Sequence, residues 1–113
     1  LGDVYKRQDI DKALALYKDI LGYTKVVYDV KSVFTDFNGL PGSEHEVRRV
    51  LLQHETPRLG AFSKLLGDTE LELVEVKGRT PRKIFKDRLW GDLGFIHLCF
   101  DITGMKALRE DCK

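Results

Sequence analysis

The chain has 113 residues, of which 42% are hydrophobic and 33% are charged, so it is typical of a globular protein rather than a disordered or collagen-like one. Its 19 basic and 18 acidic residues leave a net charge of +1, which argues against nucleic acid as the main partner because counterion release needs a concentrated basic face. Two cysteines, Cys99 and Cys112, are too few for a disulfide framework, and no apolar run approaches the roughly 20 residues that cross a bilayer. We therefore expect a soluble cytoplasmic protein with no membrane partner.

The first eight residues, LGDVYKRQ, fit no pattern further along the chain. They resemble a translated library adapter, so residues 1–8 are interpreted as a non-native tail. The alternative is a short edge strand. Because the chain begins at Leu1 and stops at Lys113 as a helical pattern starts, we also expect a fragment that is truncated at both ends.

The first predicted element is a helix that begins at Asp9. Apolar residues recur on one helical face at positions 10, 13, 14, 17 and 21. Asp9 is suited to cap the first turn, and Gly22 to end the helix in a left-handed conformation.

Four strands are predicted after this helix, at residues 24–30, 47–54, 70–76 and 95–102. In the first of them, alternation predicts one common face for Val26, Tyr28 and Val30. Glycine, proline and polar residues indicate a loop at 38–46, and a second helix begins at 105. The order predicts an α+β fold with a first module at 9–77, a linker at 78–93 and the start of a second module at 94–113.

Two of these strands each direct one metal-competent side chain away from their most apolar stripe. Side chains alternate along a strand, so Glu72 lies on the face opposite Leu71 and Leu73. By the same rule, His97 lies opposite an apolar stripe made of Ile96, Leu98, Phe100 and Ile102. A carboxylate and an imidazole suit divalent transition metals. From the residues alone, a solvated Glu and a hydrogen-bonded structural His are the alternative.

Three other features are weaker candidates. His54, at the end of the second predicted strand, either enters the same cavity or lies near solvent. Cys99 is interpreted as an inert packing thiol. The basic stretch at 79–88, RTPRKIFKDR, either grips a phosphate or carboxylate of a substrate or forms a solvated linker, and we favour the linker.

Three segments in order, DIDKALALYKDILGY, TELELVEV and GFIHLCFDI, resemble the vicinal oxygen chelate superfamily, which includes glyoxalase I, methylmalonyl-CoA epimerase, extradiol dioxygenases and bleomycin-resistance proteins. The resemblance covers about residues 9–113. It implies two βαβββ modules around a metal site, with one ligand in the first and one in the last strand of each module. The family's ligands fall on Glu72 and His97, and the other two positions would lie before Asp9 and beyond Lys113.

The resemblance implies a metal-dependent lyase or isomerase of the glyoxalase type. A divalent Zn, Ni, Co, Mn or Fe ion would stabilise an enediolate or enolate of a small oxygenated substrate. Glu72 would be a metal ligand and a candidate catalytic base, and His97 would be a metal ligand. We expect a small-molecule substrate as the partner, and a homodimer.

Other functions stay open. An extradiol-type dioxygenase would hold iron with two histidines and a carboxylate. A metal-free protein of the bleomycin-resistance kind would bind a drug or another small ligand in the same groove, with Glu72 and His97 as polar lining only. A small stand-alone interaction domain is the remaining alternative if residues 1–8 are native.

Overall fold

The structure is a computed structural model that describes residues 2–6, 9–39, 43–57, 65, 68–79, 100 and 103–112, with the backbone alone at 2–6 and 37. The chain divides into two compact units, Leu1–Arg79 and Thr80–Lys113. The boundary lies inside the predicted linker at 78–93. The fourth predicted strand, at 95–102, is outside the described residues apart from Phe100.

The first unit is a four-stranded sheet with a helix on it. Strand β1 spans Gly2–Lys6, helix α1 spans Ile10–Leu14 and continues as a π-helix over Ala15–Ile20, and the remaining strands are β2 at Lys25–Ser32, β3 at Val47–Gln53 and β4 at Glu70–Val76. A 3-10 turn at Thr35–Phe37 follows β2, and helix α2 at Met105–Asp111 belongs to the second unit. The predicted α+β class is confirmed.

The strand order across the sheet is β1-β4-β3-β2. Strands β2, β3 and β4 are antiparallel neighbours, whereas β1 pairs with β4 in parallel, from Gly2 opposite Glu70 to Lys6 opposite Val74. Gly2–Lys6 therefore forms an opening strand at the edge of the sheet. This agrees with the alternative interpretation of the first eight residues as a short edge strand. Parallel neighbouring strands need a crossover connection, and the connection from β1 to β4 includes the helix between β1 and β2.

The predicted helix is confirmed at both ends. Asp9 accepts a hydrogen bond from the Lys12 amide at 3.1 Å, and Gly22 follows the helix with φ of 79°. Tyr17 is buried on the apolar face, together with Ile10 and Ala13. The π-helical second half is a feature that a 3.6-residue periodicity does not predict.

The sheet has two chemically different faces, which follow from the pairing register. The helix face carries Arg48 opposite Glu75, Val50 opposite Leu73 and Leu52 opposite Leu71. Helix α1 lies on this face, since the Ile10 amide is 3.4 Å from Glu75 Oε2. Burial of Ile10, Leu52 and Leu73, each 0% exposed, makes this face the hydrophobic core.

The far face, away from α1, carries Arg49, Leu51, Glu72 and Val74. Strand β2 adds Tyr28, opposite Leu51, and Val30, opposite Arg49. The predicted common face of Val26, Tyr28 and Val30 is wrong, because the register shifts between Val26 and Tyr28 and places Val26 opposite Leu52 on the other side. One extra residue in a strand reverses the alternation.

Candidate functional site

Glu72 is the centre of a polar cluster on the far face. It lies in the middle of β4, flanked by the buried Leu71 and Leu73, so the period of two turns its side chain away from the core. The residue is 8% exposed, which is unusual for a carboxylate and requires polar partners.

Two donors from neighbouring strands meet the Glu72 carboxylate at one oxygen. The Tyr28 hydroxyl donates to Oε1 at 2.8 Å, and Nε of Arg49 donates to the same Oε1. Tyr28, Leu51 and Glu72 form one row across β2, β3 and β4, so the tyrosine reaches over Leu51. Among the residues that the structure describes, no hydrogen bond or ion pair engages Oε2.

Arg49 also binds a second carboxylate. Its Nη1 donates to Asp36 Oδ2 at 2.6 Å, and its Cζ lies 5.0 Å from the centre of the Phe34 ring. Both partners belong to the segment that follows β2, where the 3-10 turn begins at Thr35. The hydrogen bond from Arg49 to Glu72 is the largest influence on the Arg49 pKa and, with Asp36, raises it well above the ordinary range. The guanidinium therefore stays charged.

Tyr28 acts as a hydrogen-bond donor in this cluster. Burial of the ring raises the pKa of its hydroxyl, and the hydrogen bond and negative charge of Glu72 raise it further. The phenol thus stays protonated at neutral pH, because a phenolate beside Glu72 would repel the carboxylate.

The described residues supply one of the four metal-ligand positions that the resemblance implies. Glu72 is that residue. No group of three or more His, Cys, Asp or Glu placed to hold a metal ion occurs in the described part of the chain. The predicted ligand His97 lies outside it. If a metal binds here, Oε2 of Glu72 is the carboxylate oxygen that has no hydrogen bond among the described residues.

The other sequence candidates contribute nothing to this cluster where they are described. His54 stacks edge-on against Tyr23, with ring centres 5.4 Å apart, and its Nδ1 lies 3.2 Å from the Thr56 carbonyl. That places it beside the end of the first helix. Cys99 and most of the basic stretch at 79–88 lie outside the described residues.

The sequence alone predicts none of the partners in this cluster, which are Tyr28, Arg49 and, through Arg49, Asp36. For Tyr28, strand alternation predicts only a place on an apolar strand face. A signal for Arg49 is the pair Arg48-Arg49 inside an otherwise apolar strand. Neighbouring charged groups in such a strand need partners on both faces of the sheet.

In the described parts of the chain, every helix is too short or too polar to cross a membrane. No protein-family model, curated protein or solved structure matches this chain.

Proposed function

We propose that residues 1–79 are a βαβββ module of the vicinal oxygen chelate type and that the protein is a metal-dependent lyase or isomerase of the glyoxalase type. The module proposal is supported by the order of elements, β1, helix, β2, β3 and β4, in a sheet ordered β1-β4-β3-β2. The functional proposal depends on one observation, the nearly buried Glu72 on the face away from the helix.

The hydrogen-bonding pattern of Glu72 supports a ligand role. Carboxylates that bind metals are commonly held by hydrogen bonds from neighbouring groups, which fix their orientation. Here Tyr28 and Arg49 hold Oε1 and leave Oε2 unengaged among the described residues. Glu72 would be one ligand of the ion, and the resemblance implies His97 as a further one.

Removal of a proton from the carbon next to a carbonyl group needs positive charge beside the carbonyl oxygen. A divalent ion would supply that charge when a proton on the neighbouring carbon is removed. Glu72 would keep its place because two donors restrain it, while the apolar side chains around it, Leu51 and the buried Val74, exclude water. A small oxygenated substrate is the class that this arrangement suits.

A metal-free binding protein is the second candidate, and the ion pair between Arg49 and Glu72 favours it. A carboxylate that already has a permanent cation as partner is balanced without a metal. In that case Tyr28, Arg49 and Glu72 would form a polar wall that orients a small organic ligand by hydrogen bonds.

Metal content separates the two candidates. We expect the purified protein to bind Co²⁺ or Zn²⁺ stoichiometrically, and Glu72→Gln or His97→Ala to weaken the binding at least about 10-fold while far-ultraviolet circular dichroism stays unchanged. Glu70→Gln is the matched control, because Glu70 shares the strand and the face with Glu72 but lies two positions away. It should leave metal affinity unchanged.

A protein without stoichiometric metal, whose activity or ligand binding is insensitive to chelators, would support the metal-free candidate. Equal loss of affinity in Glu70→Gln and Glu72→Gln would show that general negative charge, and not coordination by Glu72, holds the ion.

A further inference from the structure

Arg49 is held between two carboxylates that belong to different parts of the first unit. In the register of β3 and β4, Arg49 lies opposite Val74 and Leu51 lies opposite Glu72, so Arg49 and Glu72 are diagonal neighbours on the same face. Its Nε donates to Glu72, while Nη1 donates to Asp36 at 2.6 Å. One guanidinium therefore joins a rigid strand to the turn after β2.

The two carboxylates differ in exposure. The side chain of Glu72 is 10% exposed, whereas that of Asp36 is 56% exposed. A buried carboxylate without a cation is costly, but an exposed one is solvated by water. Glu72 therefore depends on a cation more than Asp36 does.

A divalent ion on Glu72 would repel this guanidinium. Like charges close to one carboxylate repel strongly where water is largely excluded, and arginine cannot relieve the conflict by losing its proton. Asp36 offers a place for the charge to go, because it already binds one end of the same guanidinium.

We propose that Arg49 is a built-in competitor for the divalent cation at Glu72: it neutralises the carboxylate when the site is empty and shifts onto Asp36 when the ion binds. This inference rests on the proposed metal-binding function. Arg49 then sets the metal affinity of the site. The competition also means that weakly binding cations do not displace Arg49 from Glu72.

The experiment measures the dissociation constant for Co²⁺ by isothermal titration calorimetry, and the melting temperature with and without the ion. Arg49→Gln removes the charge but keeps a polar side chain, so it should tighten Co²⁺ binding at least about 10-fold. It should also give a larger rise in melting temperature on Co²⁺ saturation than the unmodified protein shows, since ligand binding stabilises the folded state. Asp36→Asn removes the alternative partner and should weaken Co²⁺ binding.

Two further variants control for charge and position. Arg49→Lys keeps the charge and should bind Co²⁺ within a few-fold of the unmodified protein. Arg48→Gln removes the neighbouring arginine, which binds Asp29 and Asp11 on the helix face, and should leave Co²⁺ affinity unchanged.

Unchanged or weaker Co²⁺ binding in Arg49→Gln, while Glu72→Gln still weakens binding at least about 10-fold, would overturn the competition and leave the proposed function standing. No Co²⁺ binding in any variant would overturn both. Should Arg49→Gln not fold, Asp36→Asn decides the matter: the competition requires weaker Co²⁺ binding in this variant while Arg49→Lys stays within a few-fold of the unmodified protein, and unchanged affinity in Asp36→Asn would overturn it.

Discussion

Two adjacent arginines in β3 serve opposite faces of the sheet. Arg48 donates to both carboxylate oxygens of Asp29, at 2.9 and 2.7 Å, and to Asp11 of the helix at 2.8 Å. Arg49 instead binds Glu72 and Asp36 on the far face. The period of two in a strand separates neighbouring side chains, so one dipeptide supplies a structural ion pair and a member of the candidate site.

The pair between Arg48 and Asp29 predicts a pH-dependent contribution to stability. The hydrogen bonds from Arg48 are the largest cause that lowers the Asp29 pKa. A carboxyl group whose pKa is lower in the folded state stabilises the fold above its unfolded pKa of about 3.9, and this contribution is lost as the pH falls through the folded pKa.

Asp29→Asn should therefore lower the free energy of unfolding near neutral pH, and the difference should disappear once the pH has fallen below the lowered pKa of Asp29. Because the Asp29 side chain is 40% exposed, we expect less than about 1 kcal/mol. Urea unfolding at several pH values measures the difference. A loss that persists unchanged at low pH, or in an Arg48→Gln background, would contradict this origin.

At the scale of elements, the helix and its exit set the geometry of the first unit. Ile10 and Tyr17 are buried on the apolar side of the helix. The chain turns towards β2 at Gly22, which has a positive φ of 79°. A Cβ atom at Gly22 would lie 2.9 Å from His54 Nε2, so the turn also lies close against the end of β3. Both conditions favour glycine.

Gly22→Ala should destabilise the protein by about 1–2 kcal/mol from backbone strain alone, with an added cost from the displaced His54 ring. Gly39→Ala is the matched control, because Gly39 has φ of 87° but nothing within 4 Å of the added Cβ. Equal losses in the two variants, measured by urea unfolding, would show that the close approach of His54 is unimportant. In a His54→Ala background the two losses should become equal.

At the scale of the whole molecule, most of the buried apolar residues that the structure describes lie in the centre of one sheet. The central strands β3 and β4 contain the buried residues Val47, Val50, Leu52, Leu71, Leu73 and Val74, whereas β2 is exposed along most of its length. Strand β2 forms an edge of the sheet, which explains why Val26, Val27 and Val30 stay more than two fifths exposed.

Leu73→Ala should therefore cost about 2–5 kcal/mol of unfolding free energy, as fully buried leucines do. Leu73 is 0% exposed, while the control position Val33 is 57% exposed, so Val33→Ala should cost less than about 0.5 kcal/mol. Chemical denaturation measures both. A small loss at Leu73 would mean that the core can collapse around the deleted methyl groups.

Local patterns predicted most of the first unit. Three features depend on residues that are close together in sequence. They are the two helix termini at Asp9 and Gly22, set by capping and by left-handed backbone, the strand Glu70–Val76, and the orientation of Glu72, set by alternation. The strand limits near Lys25 and Gln53 were predicted within two residues at each end.

The tertiary structure decided what depends on contacts between distant segments. The shift at Val27 reversed a predicted strand face, since a bulge is set by the pairing partner and leaves little trace in composition. The parallel pairing of β1 with β4 joins residues nearly seventy positions apart. Likewise, the contacts of Glu72 with Tyr28 and Arg49, and the contact of Arg49 with Asp36, form only because β2, β3 and β4 lie side by side. Sequence spacing orients one side chain on one strand, but the partners of a buried charge are determined by how the strands pair.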